Sequence, residues 1–292
     1  MEETNNFVLI IGLSQVNPNA LADLLEELNP YLREVTDRKQ NEKVRSRKRR
    51  ELLRVQIGRL FKFISDRGIF AQCPAVVLDC RDSNALGSVL NEYIDGIRLY
   101  LESEAEKEKV SDSGWSSSSN NSSATGGHGH GGYMIDIKLS YCHFICSLIK
   151  SFPIEQRGSK LSRDLRQNLF ILFASWNGKY GQMFLRPQTY HQLLSSASMT
   201  TTSNSIGLNP LDFVGLTELE FWSIKSMSTV LCAGSLFDQK NLLDGSSLYY
   251  WLISLLNAAD LRIQEIGLDT LILLLENNLD AGKEILFLIN LV

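Results

Sequence analysis

Proline and alternating β-branched runs are both scarce in this sequence. Six prolines occur in 292 residues, and segments in which apolar and polar residues alternate are scarce, which excludes a fold built mainly of strands. Cysteine is sparse and odd in number. Cys73, Cys80, Cys142, Cys146 and Cys232 are irregularly spaced, which argues against a secreted disulfide framework and for free thiols in a reducing compartment. Charge of one dominant sign is missing as well: the formal net charge is -4, so the whole molecule offers no basic field and any polyanion binding must be local. The apolar stretch from Phe7 to Leu13 is too short to span a bilayer, and the acidic start at Glu2 and Glu3 lacks the basic residues of a signal peptide. No phosphate-binding glycine loop, nucleophile elbow or His-Glu-x-x-His sequence occurs. No catalytic residue, cofactor or small-molecule substrate is therefore expected.

What is present is helical periodicity. Asn17-Pro18 reads as a helix start, with Leu21, Leu24, Leu25, Leu28, Leu32 and Val35 forming one stripe behind it. A second helix is expected from about Glu42 to Asp66, basic in its first half and apolar in its second through Leu53, Ile57, Leu60, Phe61 and Ile64, with Gly68 ending it. Asp82 and Ser83 sit where a cap should, ahead of the stripe from Leu86 to Leu101, and the charged stretch Glu102 to Lys109 reads as a solvated end. After the Ser/Gly/Asn-rich segment 111–132 come Ile135, Leu139, Cys142, Cys146 and Ile149, then Leu165, Leu169, Leu172, Phe173 and Trp176. A short helix is expected after Pro187, and a mobile loop from Ser195 to Asn209. Three more apolar stripes follow, around Ile224 to Leu231, Leu248 to Leu256 and Leu261 to Leu275.

The last of these is apolar on a second side too, through Ile263, Ile266, Leu273 and Leu274, so it is expected to be covered by neighbours on both faces, as in a stacked solenoid. Asp-Leu-Arg occurs at Asp164 and again at Asp260, each time where an Asp could cap a helix start. The expectation is an all-α, HEAT/armadillo-like helical-hairpin solenoid. Its organisation would be a first repeat block over 1–110, a disordered Ser/Gly insertion over 111–132 that cannot bury enough apolar area to order itself, and a second block over 133–292 continuous with the first.

Two metal-like patterns have duller readings. Cys142, His143 and Cys146 share a helix face, yet the two thiols lie on the stripe of Ile135, Leu139 and Ile149, where cysteine behaves as a small hydrophobe. His128 and His130 sit in a glycine tract that would lose much conformational entropy on holding an ion. No metal site is expected.

The one strong charge feature is the run Arg38, Lys39, Lys43, Arg45, Arg47, Lys48, Arg49, Arg50 and Arg54. Its default reading is a solvated helix face. A docking patch for an acidic partner, centred on Arg45, Arg47, Lys48, Arg49 and Arg50, is the second reading. A nuclear-import or nucleic-acid patch is the third, weakened because no aromatic residue for base stacking lies within the run.

Several segments resemble the Furry cell-morphogenesis family. They are Ile64-Ser65-Asp66-Arg67-Gly68-Ile69-Phe70 after the Arg-rich helix, Ser151-Phe152-Pro153-Ile154-Glu155-Gln156-Arg157, Leu161 to Phe170, and Ser175-Trp176-Asn177-Gly178-Lys179-Tyr180-Gly181. Further on come Ala233 to Asp238, Tyr250-Trp251-Leu252, and Asp260-Leu261-Arg262 running to Glu276. The matches fall in order over residues 40 to 280, interrupted at the Ser/Gly segment. The resemblance implies a section of a longer helical-repeat scaffold, without catalytic residues, that works with NDR-type kinases and their Mob co-activators in polarised growth and cytoskeletal patterning. It implies a cytoplasmic protein, at the cell cortex or sites of polarised growth. Trp176, Trp222 and Trp251 are assigned to packing.

Overall fold

The computed structural model describes residues 9–37, 43–73, 86–113, 130–185, 216–234 and 245–277. Asp82 and Ser83, the helix after Pro187, the loop from Ser195 to Asn209, His128, and residues 114–129 of the Ser/Gly segment lie outside them. Among the described residues the protein is all-α, with no strand, and no helix is long and apolar enough to cross a membrane. The helices are α1 (Leu21–Thr36), α2 (Val44–Asp66), α3 (Ile69–Gln72), α4 (Leu86–Ser113), α5 (His130–Ser151), α6 (Ile154–Lys160), α7 (Arg163–Ser175), α8 (Gly178–Leu185), α9 (Glu218–Leu231), α10 (Gly245–Leu256) and α11 (Leu261–Asn277). The chain divides into two compact units, Met1–Leu165 and Arg166–Val292, the division falling in the first turn of α7.

In the first unit α2 is the hub, packing against α1, α3 and α5. The chain enters α1 as its sequence suggests: the Asn17 side chain accepts from the Asn19 N–H, Pro18 opens a single 3-10 turn, and Leu21, Leu25, Leu32 and Val35 are buried. Phe61 on α2 is fully buried and gathers rings from three other helices. It meets Phe70 of α3 and Tyr93 of α4 edge-on at 6.0 and 5.0 Å, and Phe144 of α5 at 5.5 Å, geometries that suit the ring quadrupoles. The α2–α5 crossing is close enough that a Cβ on Gly58 would meet Ser140 Oγ at 2.8 Å. The Tyr141 hydroxyl of α5 donates to the Ile94 carbonyl of α4 at 2.7 Å. Gly68 ends α2 with φ 68, a left-handed conformation that costs glycine little.

Cys142 and Cys146 are buried on the apolar side of α5, although Ile135, from the same expected stripe, is exposed. The expectation that Glu102 to Lys109 forms a solvated end is corrected at Glu104, whereas Glu106 and Lys107 are exposed. Helix α4 runs on to Ser113 and Glu104 turns inward, buried, where cations of α2 and α4 neutralise it.

The second unit is built around Trp251 of α10, wholly buried, with Phe170 of α7 and Phe184 of α8 packed edge-on against it. Helix α9 starts with a reciprocal cap: Thr217 Oγ1 accepts from the Glu220 N–H while Glu220 accepts from the Thr217 N–H. Its inner face meets α11 through hydroxyls, Ser228 and Thr270 lying 2.6 Å apart. Asn277 donates to the Cys232 carbonyl at 2.8 Å, satisfying a group at the end of α9.

The two Asp-Leu-Arg copies are not equivalent. Asp260 caps α11, accepting from the Arg262 N–H. At the first copy the cap is Ser162, which accepts from the Leu165 N–H, and Asp164 lies inside the first turn. The expectation that α11 is covered on both faces is also corrected. Ile263, Ile266 and Leu274 are buried, but Leu261, Leu268 and Ile272 are exposed.

Candidate protein-docking face

The site is the first half of α2, Val44 to Arg54. Its Arg, Lys, Glu and Leu residues are good helix formers, but the start is electrostatically unfavourable. Lys43 at the N-cap makes no side-chain cap, and no acid occupies the first turn, so side-chain cations add to the positive end of the helix dipole.

At about 100° per residue, the basic run divides between two faces. Arg47, Arg50 and Arg54 point inward. Arg54 is buried, donating from Nε to the Val35 carbonyl at 2.8 Å and from Nη2 to the Asp37 carbonyl at 3.2 Å. Arg50, also buried, donates to the same Asp37 carbonyl at 3.1 Å. These carbonyls close α1, where cationic donors satisfy orphan acceptors and suit the dipole.

The Arg54 guanidinium also lies 3.6 Å from the centroid of the Tyr100 ring on α4, a stacked cation–π contact. Burial lowers the pKa of Arg54, while that of Tyr100 is pushed up to about 12, chiefly by burial and against the pull of the Arg54 charge. Arg47 bridges two buried acids, donating to Glu51 at 3.1 Å and to Glu104 at 2.6 Å. Lys107 reaches the second oxygen of Glu104 at 2.6 Å.

Arg45, Lys48 and Arg49 point outward and are exposed, with Leu52 and Arg59 further along the same face. Among the described residues nothing neutralises these four cations. Of the five residues singled out in the sequence, three are therefore available to a partner, while Arg47 and Arg50 serve the interior. Sequence reasoning missed Glu51 and Glu104. Glu51 could have been suspected from its i,i+4 spacing to Arg47, but Glu104 lies 57 residues away in sequence and nothing local marks it.

The outward face is a convex row of positive charge around one apolar side chain. It offers hydrogen-bond donors and point charges, which suits carboxylates or phosphates presented by another macromolecule. Among the described residues no group of His, Cys, Asp and Glu side chains is arranged to hold a metal. No family model and no solved structure matches the chain.

Proposed function

We propose that this protein is a non-catalytic scaffold of the Furry type, a HEAT/armadillo-like helical solenoid. Its α2 outer face docks an acidic surface of a protein partner, the partners being an NDR-type kinase and its Mob co-activator at the cytoplasmic cortex or at sites of polarised growth. The observation that carries this reading is the division of the basic run. The interior uses three arginines and supplies them with two buried glutamates and two backbone carbonyls, whereas Arg45, Lys48 and Arg49 stay outside without counter-charge among the described residues. The ordered Furry-like segments and the all-α architecture support the family side of the proposal. Holding a kinase beside its co-activator raises their effective concentration and needs no chemistry from the scaffold.

The test is retention of an NDR-type kinase and Mob protein by the full chain, compared with the triple variant Arg45→Glu, Lys48→Glu and Arg49→Glu. The expected result is retention that weakens as salt rises and falls at least about tenfold in the variant, since rim charges govern encounter and partner choice. Thermal unfolding of the variant should be no lower than that of the parent, since acids suit the start of α2. No retention by the parent chain would overturn the proposal. So would binding of duplex DNA that the same variant abolishes while kinase and Mob are ignored, which would make α2 a nucleic-acid surface.

A further inference from the structure

The exposed face of α11 is a second surface, opposite in character to α2. Projected at about 100° per residue, Ile263, Ile266, Thr270 and Leu274 gather on one side of the helix, and all four are buried. Directly opposite, Leu261, Leu268 and Ile272 form a row spaced seven and four residues apart, with exposures of 76%, 52% and 53%. Leu275, half-buried, extends it. Glu265 stands in this row, and with Leu261, Leu268, Ile272 and Leu275 it completes the alternating four-and-three spacing of a coiled-coil seam.

Among the described residues, the unpaired charge beside this row has one sign. Glu265, Asp269 and Glu276 are exposed along one edge, and none has a cationic partner among the described residues. The basic residue nearby, Arg262, is already engaged, donating to Asp260 at 2.6 Å and lying 5.0 Å from the Phe221 ring centroid. A solvated helix back would carry polar residues where Leu268 and Ile272 stand, since exposed leucines in register add nothing to the stability of the unit and invite association. The seam is therefore apolar at its centre and acidic along its edge.

We propose that the outer face of α11 docks a basic amphipathic helix of a partner protein, the apolar side of that helix seated on Leu261, Leu268 and Ile272 and its lysines or arginines set against Glu265, Asp269 and Glu276. This is the helix-on-helix mode of recognition, in which apolar anchors at seam spacing supply affinity and flanking charges choose the partner. The surface lies in the second unit and is independent of the cationic face of α2.

The test uses two synthetic helical peptides with identical Leu/Ile seams, one carrying Lys and the other Glu at every flanking position, titrated against the full chain. Preference for the Lys peptide by at least about tenfold is expected. The double variant Asp269→Lys and Glu276→Lys should reverse that preference, a readout that nonspecific hydrophobic binding would not give. Leu268→Ser with Ile272→Ser should abolish binding of both peptides and leave thermal unfolding unchanged, because both side chains are exposed. Equal binding of the two peptides, or a preference that survives the charge reversal, would overturn the assignment. Binding of neither peptide would also do so. Concentration-dependent self-association of the parent chain that Leu268→Ser removes would assign the face to a second copy instead.

Discussion

Helices α2 and α11 depart from simple amphipathic patterning in opposite directions. In α2 charge goes inside: Arg50, Glu51 and Arg54 are buried, and the cost of desolvating them is offset by partners that are themselves fixed, at the end of α1 or on α2 and α4. In α11 apolar surface stays outside, with Leu261, Leu268 and Ile272 exposed opposite a packed face. A dense basic run is thus not always a surface feature, nor a leucine-rich helix always central. What matters is whether neighbouring elements supply carbonyls and carboxylates to one side, or a second apolar layer to the other.

The largest effects are expected from truncating a buried residue on the inner face of each helix. Arg54→Ala leaves the Val35 carbonyl without its guanidinium donor and strips the cation from Tyr100, and should destabilise the chain by about 3–5 kcal/mol. Leu274→Ala on α11 should cost about 2–5 kcal/mol through lost burial and a residual cavity. Urea unfolding of the full chain measures both, and a loss under about 1 kcal/mol for Arg54→Ala would show that the buried arginine is not the clamp described.

A smaller effect is expected at the hydroxyl pair between α9 and α11. Thr270→Val leaves Ser228 without its partner at 2.6 Å and should cost about 1–3 kcal/mol. The double variant with Ser228→Ala should cost less than the sum of the two single variants, because one interaction is lost in both.

On the α2 side, alkaline titration reads the burial of Tyr100. Tyr100 has its ordinary pKa of 10.0 when unfolded and about 12 when folded, so its folded pKa is raised. The unfolded chain gives up the phenolic proton first, and the corresponding stability is full below pH 10 and lost as pH rises towards 12. Tyr100→Phe should flatten that decline and change stability little at pH 7, since the Tyr100 hydroxyl has no hydrogen-bond partner among the described residues. The smallest effect belongs to the exposed face of α11. Leu268→Ser should shift the unfolding free energy by no more than about 0.5 kcal/mol, and a loss comparable to that of Leu274→Ala would mean that the face is covered within the chain.

Much of the helical plan was legible in the residues themselves. The start at Asn17-Pro18, the apolar face from Ile57 to Ile64, the stop at Gly68 and the cap at Asp260 all rest on short-range rules: a side-chain acceptor, a 3.6-residue period, a left-handed glycine. The same rules placed the start of the first Asp-Leu-Arg helix on Asp164 when Ser162 holds it, because two acceptors compete within three residues and only one meets the free N–H.

The candidate site was legible as a run and not as a face. Arg45, Lys48 and Arg49 differ from Arg47, Arg50 and Arg54 only in their angle around α2. That angle acquires meaning once α1 ends beside one side of the helix and α4 brings Tyr100 and Glu104 to it.

Local sequence settled that the described residues are helical, and with it the start of α1, the stop of α2 and the cap of α11, because those properties depend on residues within a turn or two of one another. Which arginines are consumed inside and which apolar row of α11 stays open is set by tertiary packing. Those outcomes depend on groups tens of residues distant, and a charge or a methyl group is paired or exposed only with respect to what other helices bring to it.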